Sequence, residues 1–305
     1  MVLVSHITAV RRYAWAWNRS FFSRMAKFGW PLLLNGVLMF LIWQGDRVLV
    51  GSAYDMTQLA LYSVAMTVTA APTDLLSRAS SVVLLPPLAR AQNNAERFAE
   101  LYGFLAQALS LGGIVVAVFF IILGPGLVEL LYGARYAGVG PFIGWFAVMQ
   151  MLRLIRTVPT TAALAKGDTV ACFTANVARA ACLPVLVILA TSTRPLEWLA
   201  VAGCVGEVAA LGTILMRMRV RHGLASNIAI IPAIFSLCAT MSAGAATLVT
   251  KQGIGLDRLS ALCGVLVTSF LGGLLFFPHL RFHLFVLMRK PTLLSARTDS
   301  RQQGP

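Results

Sequence analysis

The sequence predicts an all-α membrane protein with about eight transmembrane helices and both termini in the cytoplasm. Three observations carry that reading. Hydrophobic residues make up 58% of the 305-residue chain and charged ones only 12%, with a mean hydropathy of +0.78; a soluble domain is about a quarter charged. No charge interrupts the chain between Glu100 and Glu129, between His222 and Lys251, or between Arg258 and Arg281, and a bilayer-crossing helix needs about 20 apolar residues. The basic residues then alternate in density from one loop to the next, as the positive-inside rule requires of a multi-pass chain.

The spans follow in order. The first, 28–50, ends in IWQGDRVLVG, which places adjacent Asp46 and Arg47 near its far end. The second, 58–88, contains Pro72 and the pair Pro86-Pro87, so a kinked or broken helix is expected. Its PTDLLSR stretch sets Asp74 and Arg78 four residues apart on one face, as a self-neutralising pair or as the wall of a polar cavity. The third, 101–123, is uninterrupted. The fourth, 140–165, holds MQMLRLIRTVPTT, whose Gln150, Arg153, Arg156, Thr157, Thr160 and Thr161 fall within an arc of roughly 140° at helical pitch. No acid lies nearby in sequence, so the arginines either line a cavity or reach toward headgroups. The fifth, 169–190, puts Thr169, Asn176 and Arg179 on one stripe. The sixth, 195–216, carries Glu207 beside the small residues Gly203 and Gly206, which suit close helix contact and an ion pair with Arg179. The seventh and eighth, 227–250 and 259–280, carry no charge.

Orientation comes from the 25 lysines and arginines. Five lie within spans: Arg47, Arg78, Arg153, Arg156 and Arg179. Alternating the loops gives one side only Arg135, Arg194, Lys251 and Arg258, and leaves sixteen to the other. The rich side includes both ends of the chain, so both termini are cytoplasmic and the number of spans is even. The net charge of +14 is then explained by anionic lipid headgroups, and no nucleic-acid partner is implied. The opening MVLVSHITAV is not read as a signal peptide, since no basic region precedes it and His6 breaks the apolar run.

The function classes narrow further. Cys172, Cys182, Cys204, Cys238 and Cys263 all fall in apolar segments without a CxxC pair, and read as small buried side chains. No metal-ligand, P-loop or nucleophile-elbow pattern appears, and no acids pair on an outer loop. No enzyme, cofactor or metal is expected. Intramembrane ionisable residues are costly, about 2.5–3.5 kcal/mol each on insertion scales, and mark functional interiors. Here they are five arginines against Asp46, Asp74 and Glu207, an excess that suits an anion, and the arginine fork suits phosphate.

Three stretches carry a family resemblance: FGWPLLLNG with QGDR (Phe28 to Arg47), LYSVAMT with LPPLARAQ (Leu61 to Gln92), and LLYGARYAGVGPF (Leu130 to Phe142). ALAKGDT (Ala163 to Thr169) adds to them. Together they resemble the opening of the C-terminal half of bacterial polysaccharide exporters, the oligosaccharide flippases of the multidrug/oligosaccharidyl-lipid/polysaccharide exporter superfamily. That resemblance implies export or flipping of a polyprenyl-diphosphate-linked glycan across the inner membrane, by two six-helix lobes that alternate access to a central cavity. It implies a basic interlobe segment at 1–27, a six-helix lobe at 28–216, two additional helices at 217–280 and a basic tail at 281–305. It also implies that the first two spans line the cavity. The candidate substrate-binding residues are therefore Asp46, Arg47, Asp74, Arg78, Arg153, Arg156, Arg179 and Glu207. A whole exporter has about twelve to fourteen helices, so a missing or separately encoded N-terminal lobe is an expected partner, beside membrane lipids and the lipid-linked glycan. Two competing functions are a non-transporting scaffold of a polysaccharide-assembly complex and a cation or drug antiporter of the same superfamily.

Overall fold

A computed structural model describes residues 19–192, 194–249 and 255–282 of the chain. Among these residues every regular element is helical, and eight spans are long and apolar enough to cross a membrane. The basic segments outside this set, including Arg11, Arg12, Lys251, Arg289, Lys290, Arg297 and Arg301, lie outside the described residues.

Helix α1, Arg19–Ala53, begins earlier than the apolar stretch requires and includes the basic turn Arg24 to Lys27. Helix α2, Met56–Arg90, is capped by Asp55, whose carboxylate accepts the Gln58 N–H at 2.7 Å. It runs unbroken through Pro72, Pro86 and Pro87, against the expected break. Each proline withholds one N–H, but the helix is held by its neighbours, and a transmembrane helix tolerates proline on those terms. Helix α3, Ala95–Tyr132, is capped by Asn94 and closes at Gly133, whose φ of 90° a side chain would resist. A 3-10 turn, Ala134–Val139, leads into α4, Gly140–Ala165, which has the expected bounds.

The fifth span is split into α5, Thr169–Ala180, and α6, Leu183–Thr191. Pro184 explains the break, since it has no N–H to donate back to Ala180. Helix α7, Glu197–His222, ends at Gly223 with φ 67°. Two further helices follow, α8, Asn227–Val249, and α9, Leu256–Phe276.

Helix α4 is central. It packs against α3, α2 and α7, and Tyr62, Phe142 and Phe146 meet edge-to-face in its core, with 4.9 Å between the Tyr62 and Phe146 rings. Helices α8 and α9 attach to α3 through a second apolar cluster around Ile114, Val118, Ala239 and Ala243. Helix α1 rests chiefly on α5 and touches α6 and α2 equally little, and a slot stays open between α1 and α2. Its outer face is apolar and exposed, from Trp30 through Leu33 and Phe40 to Val48. All five cysteines are free. Cys172 and Cys204 are buried as expected, Cys182 partly so, but Cys238 and Cys263 sit on exposed faces of α8 and α9, where a lipid-facing helix side is as apolar as a core.

Candidate anion groove

The slot between α1 and α2 opens into a groove of about 480 Å³, floored by α4 and α5. Each helix contributes one stripe at helical spacing: Asn35, Met39 and Trp43 from α1, then Asp74, Ser77, Arg78 and Ser81 from α2. Helix α4 adds Arg153, Arg156, Thr157, Thr160 and Thr161, and α5 adds Asn176. The groove runs from mid-height, at Trp43 and Arg153, toward the end where α2 and α4 finish, at Ser81 and Thr161. The α2–α4 wall is knit by hydroxyls. Thr157 Oγ1 donates to Ser77 Oγ at 3.2 Å, and Ser81 and Thr161 meet at 3.4 Å. Thr157, Thr160 and Thr161 also bond back to carbonyls four residues earlier, which satisfies their hydroxyls within the helix.

Beneath the floor lies Glu207 of α7, fully buried. Three guanidiniums converge on it through their Nε groups. Arg153 and Arg179 lie 2.9 and 3.0 Å from Oε1, and Arg156 lies 3.2 Å from Oε2. Arg153 Nη1 donates to Gln150 Oε1 at 3.2 Å, and Arg156 Nη1 donates to Asn176 Oδ1 at 3.0 Å. Asn176 Nδ2 in turn donates to Asn35 Oδ1 at 2.6 Å, which ties the network to α1. The Trp43 ring sits 5.6 Å from the Arg153 guanidinium carbon, within cation–π range. One carboxylate facing three cations leaves the cluster net positive, and Asp46 of α1 stands within electrostatic reach of Arg153 and Arg179. Four buried polar atoms of this region have no partner among the described residues: Arg153 Nη2, Gln150 Nε2, Trp43 Nε1 and Asp46 Oδ1. Unpaired buried polar groups are rare enough to need a reason.

The eight predicted residues divide. Asp74, Arg78, Arg153 and Arg156 line the groove. Arg179 and Glu207 lie behind it, in the expected ion pair. Asp46 is turned inward, and Arg47 is exposed and reaches Thr67 Oγ1 at 3.5 Å, so neither lines the groove. Asp74 and Arg78 do not pair with each other among the described residues. Arg156 does not reach for headgroups, because Glu207 from another helix supplies the acid its own helix lacks. Sequence reading missed Asn35, Met39 and Trp43. Their four-residue spacing in the first span was the available signal, hidden because Asn, Met and Trp are unremarkable singly in an apolar run.

A second polar knot closes the end of the bundle toward which the groove runs. Asp168, in the α4–α5 connection, caps α5 through the Ala171 N–H and binds Arg217, Arg221 and His222 at the end of α7. Burial disfavours its charge, but hydrogen bonds from Arg217, His222 and Ala171 and the charge of Arg217 outweigh that and hold the carboxyl below its ordinary value. Beside it, Lys166 donates to the Gln92 carbonyl and lies over the Phe98 ring.

A family model described as "Polysaccharide biosynthesis protein" matches residues 1–141. It takes in two of the three family-like stretches and all but the last residue of the third, and bears out the resemblance to polysaccharide exporters over that length. With eight helices long and apolar enough to cross a membrane, the chain has the build of a multi-pass membrane protein, and its first 141 residues are similar to a polysaccharide-biosynthesis family. No curated protein and no solved structure matches the chain.

Proposed function

We propose that this protein takes part in exporting or flipping a glycan linked to a polyprenyl diphosphate across the bacterial inner membrane, and that the groove receives the diphosphate. One observation carries the reading. Arg78, Arg153 and Arg156 converge on a groove at membrane depth, in a chain whose first 141 residues match a polysaccharide-biosynthesis family. Arginine offers a planar fork to a phosphate oxygen pair, and each charge-assisted bond is roughly twice as strong as a neutral one. The lipid tail would stay in the bilayer beyond the apolar face of α1, and the sugar would occupy the rest of the chamber. The positive-inside pattern favours an orientation in which the groove's open end would face the cytoplasm.

Four helices line the groove as two walls and a floor, and its mouth is open. A second lobe, from another chain or another copy, would close the chamber and give alternating access. In this reading the six spans through α7 form one lobe, and α8 and α9 are an added pair. A cationic-drug antiporter fits the groove less well, since Asp74 is the single acid among its lining residues. The test is glycan export in a flippase-null strain. Arg78→Ala and Arg153→Gln at normal protein abundance should lose export; export at the wild-type level in both would sink the proposal.

A further inference from the structure

We infer that Glu207 is a positioning residue that makes the groove selective for an oxyanion of the phosphate type by fixing where its arginine donors point. The inference rests on the reading of the groove as an anion site. Hydrogen bonds hold Arg153 and Arg156 at two points each: Nε on Glu207, and Nη1 on Gln150 or Asn176. That leaves Nη2 on each guanidinium. Arg153 Nη2 is buried with no partner among the described residues, and Arg156 Nη2 makes no hydrogen bond there either. A guanidinium is planar, so two fixed nitrogens fix the third. Both arginines line the groove and Glu207 does not.

Two more donors without partners, Gln150 Nε2 and Trp43 Nε1, belong to residues in contact with Arg153. The orphaned set is rich in donors, with Asp46 Oδ1 as its one acceptor. Of its residues, Arg153 and Trp43 line the groove, and their donors, with Arg156 beside them, suit an anion with several oxygens set at angles to one another. A spherical halide gains from charge but not from direction.

The two contributions have opposite signs when Glu207 is changed. Glu207→Gln makes the cluster more positive by one charge. If net charge governs binding, every anion should bind more tightly. If Glu207 positions the donors, a tetrahedral oxyanion should bind more weakly while a halide does not.

The experiment is calorimetric titration of the full-length protein in detergent micelles, with inorganic pyrophosphate and, separately, bromide. Glu207→Gln should bind pyrophosphate about tenfold more weakly, the scale of one lost charge-assisted hydrogen bond, with bromide unchanged or tighter. Glu207→Asp keeps the charge and withdraws the carboxylate by one methylene; it should also weaken pyrophosphate, and it decides the matter if Glu207→Gln does not fold. Pyrophosphate held by either variant as tightly as by wild type overturns the positioning role, provided Arg153→Gln abolishes the binding. No pyrophosphate binding by wild type above Arg153→Gln overturns the anion-site reading, and the positioning role with it.

Discussion

Glu207 lies at 0% exposure with three guanidiniums within 3.2 Å, so its carboxylate is the group that lets those cations stay in an apolar bundle. Removing one member of a buried pair leaves charge uncompensated, a loss of about 3–5 kcal/mol. Glu207→Ala should therefore lower stability by about that much, read by thermal or denaturant unfolding in micelles. Arg78 is the opposite case. It lines the groove, is exposed, and forms no ion pair among the described residues. Arg78→Ala should shift stability by no more than about 0.5 kcal/mol while export falls. A variant that loses both equally would make Arg78 structural. The intramembrane charges themselves were legible, because a charged residue within an apolar run stands out. Which of them share a space was not: Arg153 and Glu207 are 54 residues apart, and only packing joins them. The pairing of Arg179 with Glu207 was within reach because their spans are consecutive.

The elements bring these residues together through small side chains and end caps. A Cβ on Gly206 would lie 3.5 Å from the Arg179 carbonyl of α5, ordinary contact, so Gly206→Ala should be tolerated. Gly206→Leu has no such room, and should force α7 off α5 and pull Glu207 from Arg179; normal melting and export in that variant would show that close approach is not needed. At the end of the bundle, Asp168 joins the α4–α5 connection to the end of α7. Its carboxyl is held below its ordinary value of 3.8, so the stability it lends is fully present above that pH and is lost as pH falls through the lower folded value. Asp168→Asn should lower the melting temperature at pH 7, and the gap to wild type should close only below about pH 4. A gap already closed at pH 5 would show that the Asp168 charge is not what the latch depends on. Most span limits were readable from hydropathy, and α4 has the expected bounds. The breaks were less so. Pro184, near the start of a helix, divides the fifth span, while Pro72, Pro86 and Pro87 leave α2 whole. A proline removes the same N–H in each case; packing on neighbouring helices decides whether the ladder resumes, and hydropathy does not record packing.

On the scale of the whole molecule, the bundle is asymmetric: α4 is surrounded, while α1 stands away from α2 and leaves the groove open. The groove runs toward the end that carries the 91–94 turn, the Asp168 knot and the 223–226 turn. In the proposed orientation, which rests on positive-inside counting, that end would face the cytoplasm, the side on which a lipid-linked glycan would have to load before being moved outward. Load side and charge bias are therefore one claim, and a labelling experiment can break it. In a cysteine-free background, single cysteines replace Asn93 and Ala225 at one end and Arg135 and Ser192 at the other, all exposed positions. An impermeant maleimide added to spheroplasts should label the Arg135 and Ser192 replacements, and should reach the other two only after the membrane is opened. The reverse pattern would turn the groove outward and leave its arginines unable to collect a substrate from the cytoplasm. Labelling at both ends of intact spheroplasts would contradict eight spans in one orientation. With the expected pattern, a fifth position tests the side on which the groove opens: a cysteine at Ser81, at the mouth of the groove, should react from the cytoplasmic side and be protected by pyrophosphate, because its side chain shares the groove with Arg153 and Arg156.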